Sequence, residues 1–460
     1  MSPFVDASCG FSVDACSVSS VVIHMQPQRD PPQARLRRSS FPGKSLVVTT
    51  ARAPDTAQIS RRLMLTAIGG LGITQIIGWG TTFSSLTIFG STIGVDLKMS
   101  REVVFGGITM MLLTSALLAP RIGRLVDAKG ARSIMVVGSA IAALAMVAMA
   151  FAQGIASYLL AWVLIGIAMP MMLSNTALVG LVQIVGSNAR RAITGLMLLS
   201  GLTGTVFLPL NALLLQSIGW RNTYLLFALL HLLICLPIHA IVLRRREADA
   251  MGTARGGSGI IDGVLAPDKR RAAFIMIAIW SCTEGLITWG LYMQIIDVLK
   301  GLGLSTAAAI GVWAMVGPSQ ASAPFGELLF GGRYSILTTA VLSSILTTGS
   351  FLIILPFTTS VVVAGAFSIC LGLGHGFFAI ARNTLPLMLF GAREYGTYMG
   401  RLMLPQNMAN AAAPVIFAVV ISRFETSTAL WLASVAAFAG FVAVMLLLRT
   451  CQQSAEPGGV

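Results

Sequence analysis

Residues Gly123 to Arg132 read GRLVDAKGAR and lie between two long apolar runs, 103–120 and 133–152. Glycine adopts backbone conformations that other residues avoid, so the two glycines of this stretch permit a tight turn. Its aspartate can cap a helix N-terminus or hold an arginine. We therefore predict that the stretch forms a short polar connection between two antiparallel apolar helices.

The flanking runs belong to a longer series. The chain has 460 residues, of which 55% are hydrophobic and 10% are charged, so a single soluble core could not bury its apolar surface. A helix needs roughly 20 apolar residues to cross a bilayer, and about twelve runs meet this requirement. They lie at 64–90, 103–120, 133–152, 156–180, 193–216, 222–243, 272–297, 305–328, 335–356, 358–381, 397–421 and 428–448.

Runs of this length exclude the strands of an outer-membrane barrel, which alternate apolar and polar residues. The predicted fold class is an all-α integral membrane protein with about twelve transmembrane helices in two six-helix halves. Two polar stretches support the division: one before the first run, rich in Ser, Pro and Arg, and one between the sixth and seventh runs. The expected parts are a segment 1–60, a first half 61–243, a linker 244–271, a second half 272–450 and a tail 451–460.

The composition of residues 1–60 predicts a disordered cytoplasmic segment, or a start site placed upstream of a true beginning at Met25 or Met64. Most of the 31 Lys and Arg residues fall on one side when the spans alternate from a cytoplasmic N-terminus. This asymmetry predicts a multi-pass protein of the cell inner membrane with both termini in the cytoplasm. It also explains the net charge of +14 without a nucleic-acid partner.

Two weak internal echoes fit a duplication of six spans. The stretch 74–80 is similar to 283–290, and 123–127 with Ser133 and Ile134 is similar to 326–329 with Ser335 and Ile336. The six cysteines show no metal-ligand spacing, so we expect no metal and no cofactor.

The stretch GRLVDAKGAR resembles the signature of the major facilitator superfamily between its second and third helices. Ala128 stands where the family prefers a basic residue, and Lys129 follows one position later. The resemblance covers roughly residues 62–450 and implies a monomer that transports by alternating access. It implies a gating role for Gly123, Asp127, Gly130 and Arg132.

Two further stretches refine the resemblance. The tripeptide at 219–221 is similar to a recurrent superfamily pattern, and 382–400 resembles bacterial members of the monocarboxylate and oxalate–formate branch. The fifth span has no glycine-proline pair between Gly201 and Pro209, unlike the drug–proton antiporters. This departure argues against a multidrug pump of that type.

In this superfamily the first, fourth, seventh and tenth helices line the cavity, which implies where polar residues could meet a solute. Gln75, Trp79 and Phe83 share one helix face, and an amide beside aromatic rings suits a planar polar solute. The candidate substrate-binding residues are Gln75, Trp79, Phe83, Asn175, Trp289, Tyr292, Trp313 and Arg382. Interfacial anchoring of the aromatic rings, interhelical hydrogen bonding by Asn175 and snorkelling of Arg382 and Arg401 are the alternatives.

Two titratable residues are candidates for proton coupling. Glu284 lies near the centre of the seventh span, where a lone carboxylate is costly and usually has a task. His375 lies between two glycines in the tenth span and titrates near neutrality. For both, a structural hydrogen bond is the alternative. His231 and His239 fall on the sixth span, which the resemblance places against lipid, and we assign them no role.

Other function classes lack support in the sequence. We find none of the motifs typical of enzymes, no repeated channel filter and no soluble domain that could relay a signal. We predict a secondary active transporter for a small organic solute, with a coupling proton, in contact with the lipid bilayer. The solute is planar or weakly acidic, either an aromatic vitamin such as riboflavin or a monocarboxylate; efflux of a drug or a metalloid oxyacid is the alternative.

Overall fold

Helices form wherever the sequence has a long apolar run. The computed structural model describes residues 56–243, 263–330, 334–355, 360–424 and 426–455. These residues are almost entirely helical and include no strand, which confirms the predicted fold class. The expected segment at 1–55, the linker from 244 to 262 and the tail from 456 lie outside the described residues.

Six helices, α1 to α6, come from the first part of the chain. Several of them contain a break: α1 passes through a π-helical turn at Gly80–Ser84, and α4 is interrupted at Leu173. The six helices are α1 56–96, α2 Arg101–Lys129, α3 Ala131–Ala150, α4 Ile155–Val185, α5 189–218 and α6 220–242.

Six more helices, α7 to α12, come from the second part. A π-helical turn at Ile287–Leu291 interrupts α7, and α8 is broken between Trp313 and Val316. The six helices are α7 267–301, α8 306–330, α9 Ile336–Ile354, α10 Val361–Phe390, α11 Tyr395–Arg423 and α12 Thr426–Ala455. The predicted linker therefore ends earlier than expected, because α7 begins at Pro267.

The count of membrane crossings follows from helix length. Ten runs among the described residues are long and apolar enough to cross a membrane, and one of them, Ala189–Val242, has 54 residues. A single helix of that size would be about 80 Å long, more than twice the thickness of the hydrocarbon core. Gly219 breaks it with a φ of 75°, so it crosses twice. With α8, the described residues supply the twelve predicted crossings.

The helices extend beyond the apolar runs that predict them. Nine of the ten residues of GRLVDAKGAR are helical, and only Gly130 leaves the helix, with a φ of 80° at the end of α2. The sequence suggested that Gly123 takes part in the turn, but in the structure it does not. It packs inside α2 against Gly396 and Gly400 of α11, where any side chain would push the two helices apart.

Buried apolar side chains form four clusters. Two of them draw almost all their members from residues 64–243, and the other two draw theirs from 265–451. The first two clusters also include a few residues of the second part, among them Met403, Leu387 and Tyr395. The polar side chains described next lie where the two parts meet.

Candidate functional site

A cavity of about 210 Å³ lies between the two groups of helices. We call it the central cavity. Polar and aromatic side chains from α1, α4, α7, α10 and α11 line it: Trp79, Ser174, Asn175, Glu284, Thr288, Trp289, His375, Arg382, Asn383, Gln406, Asn407 and Asn410. Six of these twelve are sequence candidates: Trp79, Asn175, Glu284, Trp289, His375 and Arg382. All six come from the four helices that the resemblance implied.

Arg382 carries a positive charge into this cavity. The sequence placed it near the end of a span, but α10 continues to Phe390 and leaves its side chain 9% exposed. Its guanidinium donates to Asn383 Oδ1 at 2.8 Å, to Asn175 Oδ1 at 3.3 Å and to Gln406 Oε1. Among the described residues no carboxylate pairs with it, and its Nε–H has no acceptor. Three neutral amides thus orient a buried cation without neutralising it.

Glu284 and His375 face each other across the same cavity. The carboxylate of Glu284 is 4% exposed, and its Oε2 lies 3.9 Å from His375 Nδ1. The same Nδ1 lies 3.2 Å from the hydroxyl of Thr288, one helical turn from Glu284. The acid, the imidazole and the hydroxyl therefore form one polar group that can hold and pass a proton.

Gln75 lies behind the cavity wall rather than in it. The break of α4 at Leu173 leaves the carbonyl groups of Pro170 and Met172 without their helical partners. Gln75 Nε2 donates to the carbonyl of Met172 at 3.0 Å, and Thr176 Oγ1 donates to that of Pro170 at 2.6 Å. Gln75 is completely buried and supports the wall from behind, so its contact with a solute stays a prediction.

This support reaches Trp79 through Ser174. The indole Nε1 of Trp79 donates to Ser174 Oγ at 3.1 Å, and Ser174 donates to Gln75 Oε1 at 3.2 Å. The chain of bonds fixes the Trp79 ring at the cavity wall. The break in α4 also turns the next residue, Asn175, towards Arg382.

The second tryptophan is held from α11. With the amide of Asn410 oriented to accept from the indole, Trp289 Nε1 lies 3.2 Å from the Asn410 oxygen. Phe83 meets the Trp289 ring edge-on at 5.0 Å between centroids. Tyr292 and Trp313 do not line the cavity. Their rings pack edge-on at 4.7 Å, and the Tyr292 ring lies 5.9 Å from that of His375.

Sequence reasoning missed the amides of α11. Three amides lie inside this apolar span within a stretch of five residues: Gln406, Asn407 and Asn410. In the structure all three line the central cavity. Asn407 also donates to Ser115 of α2 at 3.3 Å. The sequence pattern could have identified them as cavity residues, because clustered amides inside a span rarely face lipid. The expectation that only four helices line the cavity hid it.

A second chamber of about 400 Å³ adjoins the central cavity. We call it the side chamber. Trp79, Met197 and Ala379 line both spaces. The rest of its wall comes mainly from small and apolar residues of α1, α5, α8 and α10: Phe83, Ser84, Leu198, Ser200, Gly201, Thr203, Gly204, Gly317, Gln320, Ala321, Pro324 and Gly376.

The two groups of helices meet closely at the end of the bundle where α2 ends and α11 begins. We call this end the Asp127 face. Asp127 accepts hydrogen bonds from the backbone N–H groups of Gly396 and Thr397 at 2.9 and 2.6 Å. It therefore caps a helix N-terminus, as its type predicted, but the helix belongs to the other half of the chain. Its carboxylate also complements the positive end of that helix dipole.

The other gating candidates lie beside this contact. Gly130 ends α2, and Arg132 donates from its Nε to the carbonyl of Ala240 at 3.0 Å. Arg132 thus ties the start of α3 to α6 within the first half. The four proposed gating residues therefore lie at two places, with Gly123 and Asp127 at the crossing of the halves and Gly130 and Arg132 next to it.

A second contact between the halves joins α5 to α8. Arg190 pairs with Glu327 at 2.6 Å and donates to the carbonyl of Tyr334 at 2.6 Å. The Tyr334 hydroxyl donates to Glu327 at 2.6 Å. Burial, with this bond to a carboxylate, raises the pKa of Tyr334 to about 12, so the phenol remains a donor at neutral pH. No pattern in the sequence predicted this cluster.

The resemblance implied that the two histidines of α6 face lipid, but neither of them does. Both are completely buried. His231 Nε2 lies 2.9 Å from Thr81 Oγ1, and His239 Nδ1 lies 2.8 Å from Ser139 Oγ. They connect α6 to α1 and α3, because an imidazole with a hydroxyl partner avoids the cost of facing hydrocarbon.

Comparison with known proteins agrees with this architecture. The family model described as Major Facilitator Superfamily matches residues 71–403. No curated protein matches the chain in a sequence search. Among solved structures, the proton:xylose symporter XylE bound to 6-bromo-6-deoxy-D-glucose aligns with a TM-score of 0.64 and 12% identity, covering 85% of this chain and 96% of that one.

Two other structures are similar over a comparable length. A double tryptophan mutant of XylE aligns with a TM-score of 0.66 and 11% identity, covering 86% of this chain and 96% of the other. The human organic anion transporter MFSD10 aligns with a TM-score of 0.59 and 17% identity, covering 84% of this chain and 99% of the other. At these identities the likeness is one of fold.

Proposed function

Because the chain belongs to the major facilitator superfamily, it is a membrane transporter and not an enzyme, and we propose that its solute is a small organic acid. The proposal extends to uptake across the inner membrane with both termini in the cytoplasm, for which the basic residues near the Asp127 face are the support. The two groups of helices would be the halves that rock about the central cavity.

The observation that carries the proposal is the state of Arg382. A buried cation is costly unless an anion accompanies it. Its neighbours Asn175, Asn383 and Gln406 are neutral, and they leave its Nε–H free. Because Arg382 lines the central cavity, a solute carboxylate bound beside its guanidinium would supply the missing charge.

The size and walls of the cavity favour a small acid over the other candidates. The part of the solute that pairs with Arg382 must fit the central cavity, whose volume of about 210 Å³ is below the roughly 300–1,000 Å³ of pockets that enclose drug-sized ligands. An uncharged vitamin such as riboflavin would leave Arg382 without a counter-charge. A monocarboxylate meets the limit on size and carries the negative charge that Arg382 lacks. Trp79 and Trp289 would pack on its carbon skeleton.

Proton coupling is part of the proposal. Glu284 and His375 line the same cavity as Arg382, and a proton shared between them would be lost or gained as the cavity changes its exposure. An acid that enters with its anionic group on Arg382 and with a proton on Glu284 would move without net charge.

The test is transport by the purified protein in liposomes. We expect the wild type to take up a radiolabelled monocarboxylate such as pyruvate, or to exchange it, and Arg382→Gln to reduce transport by about 100-fold or more, since a site built around a buried charge pair loses most affinity without it. Arg382→Lys should retain a small fraction of wild-type transport, because an ammonium keeps the positive charge but lacks the planar, paired donors of a guanidinium.

Arg401→Gln is the matched control, because Arg401 lies on α11 with an exposed side chain. It should transport at the wild-type rate. Equal transport by Arg382→Gln and the wild type would refute the proposal, and so would transport of neutral solutes in preference to acids.

A further inference from the structure

The side chamber makes the solute site larger than the central cavity alone. Its volume, about 400 Å³, exceeds that of the space around Arg382. The two spaces share three wall residues, so a molecule seated in one can extend into the other. We infer that the transporter takes monocarboxylates that carry an aromatic or branched apolar group, and that the side chamber binds this group. The inference rests on the proposed function, since it requires the carboxylate on Arg382.

Helix geometry fixes the spacing between the charged and apolar groups. Gly376, Ala379 and Arg382 follow one another at intervals of three residues along α10, with Ala379 in both walls. At 1.5 Å per residue, the backbones of Ala379 and Gly376 lie about 5 and 9 Å along the helix axis from that of Arg382. This span suits a phenyl ring separated from a carboxylate by a few methylene groups.

The chemistry of the chamber wall matches an apolar occupant. Trp79 and Phe83 present aromatic rings, and Met197 and Leu198 present flexible apolar side chains. Met197 is itself held at the junction, since Asn383 Nδ2 lies 3.4 Å from its sulfur. The few polar groups are hydroxyls and one amide, Gln320, and no charged residue lines the chamber. A phenyl or branched alkyl group would therefore lose no hydrogen bonds on entering.

Glycine keeps the chamber open. A Cβ built on Gly201 or Gly317 meets no atom within 4 Å, so these positions could carry larger side chains without a clash with the protein. Their side of the chamber is unfilled because the residues are glycines. The size of these residues should therefore determine the largest solute that the protein accepts.

The test compares Gly317→Leu with the wild type, using pyruvate and a series from phenylacetate to 4-phenylbutyrate as probes. Binding is measured by intrinsic tryptophan fluorescence of the purified protein, with Trp79 at the junction of both spaces as a reporter, and transport is measured in liposomes. We expect the wild type to bind the phenyl acids more tightly than pyruvate. Gly317→Leu should weaken their binding by about 10-fold or more while pyruvate binds as before.

Gly311→Leu is the matched control. Gly311 precedes Gly317 on α8, is exposed, and likewise has no atom within 4 Å of an added Cβ. It does not line the chamber, so the preference for phenyl acids should persist. Ala321→Leu, which fills the same chamber from the next turn of α8, should reproduce the effect of Gly317→Leu. Unchanged pyruvate binding in these variants shows that they are folded.

The outcomes separate the two proposals. If Gly317→Leu and Ala321→Leu keep the wild-type preference for phenyl acids, the inference is wrong while the role of Arg382 stands; a bilayer acyl chain in the chamber would give this result. The same holds if the wild type binds pyruvate as tightly as phenyl acids. If neither kind of acid binds, the proposed function fails and the inference fails with it.

Discussion

Individual residues of the central cavity combine charge with fixed orientation. Arg382 is held by three amides, while Glu284 and His375 lie within 3.9 Å of each other. An isolated charge inside a membrane costs roughly 2.5–3.5 kcal/mol on insertion scales, so its retention needs a function. The cation suits the proposed solute, and the acid with its imidazole suits the proposed proton.

Replacing the acid should separate proton coupling from solute binding. In liposomes, Glu284→Gln should lose accumulation driven by a pH gradient but keep exchange of internal for external solute, because the amide cannot release a proton. Glu394→Gln serves as the control, since Glu394 is about half exposed and lies at the start of α11. Accumulation at the wild-type level by Glu284→Gln would contradict the proton role.

At the scale of elements, breaks in helices place the site residues. The interruption of α4 at Leu173 frees carbonyl groups that Gln75 and Thr176 then satisfy, and it turns Ser174 and Asn175 towards the cavity. Glycines at the crossing of α2 and α11 allow the backbones to touch, since a Cβ on Gly400 would collide with the carbonyl group of Ala119. The break in α4 shapes the cavity wall, and the glycine crossing of α2 and α11 closes the Asp127 face.

Widening the helix crossing should therefore open that face. Gly400→Val adds a side chain where backbone atoms of α2 already lie, so α2 and α11 must separate. Spin labels at Lys129 and Arg393, introduced after replacement of the native cysteines, should report a longer distance than in the parent protein.

Gly349→Val provides the comparison, because this α9 glycine has open space around an added Cβ and the helical cost of valine is the same. A distance unchanged by Gly400→Val would show that the glycine contact does not hold the face closed.

For the whole molecule, two polar contacts among the described residues join the halves at the Asp127 face, in addition to the glycine crossing. One is the cap of α11 by Asp127, and the other is the cluster of Arg190, Glu327 and Tyr334. Glu327 is buried and Arg190 is partly exposed, so the pair is shielded from solvent. Both contacts must break when the central cavity opens to this side, and their strength sets the balance between the two orientations.

Removing the ion pair should shift this balance. Arg190→Gln should favour opening of the Asp127 face by about 1.5–3 kcal/mol, the range for a hydrogen bond to a charged group. A cysteine at Ser174, in the cavity wall, should then react faster with a membrane-impermeant thiol reagent applied from that face.

The control is Arg191→Gln, whose side chain is exposed on the same helix. Its labelling rate should equal that of the parent, and an equal rate in Arg190→Gln would show that the pair does not restrain opening.

Residue patterns alone predict the membrane environment, the twelve crossings and the family, because apolar runs of about 20 residues have few alternatives to a spanning helix. They also indicate six residues of the central cavity, since polar and aromatic groups inside such runs are costly without a partner or a function. Which of these groups meet depends on tertiary packing. The cap of α11 by Asp127, the amides around Arg382, the burial of His231 and the position of Gln75 behind the wall depend on helix rotation and on contacts between residues far apart in the chain, which periodicity does not encode.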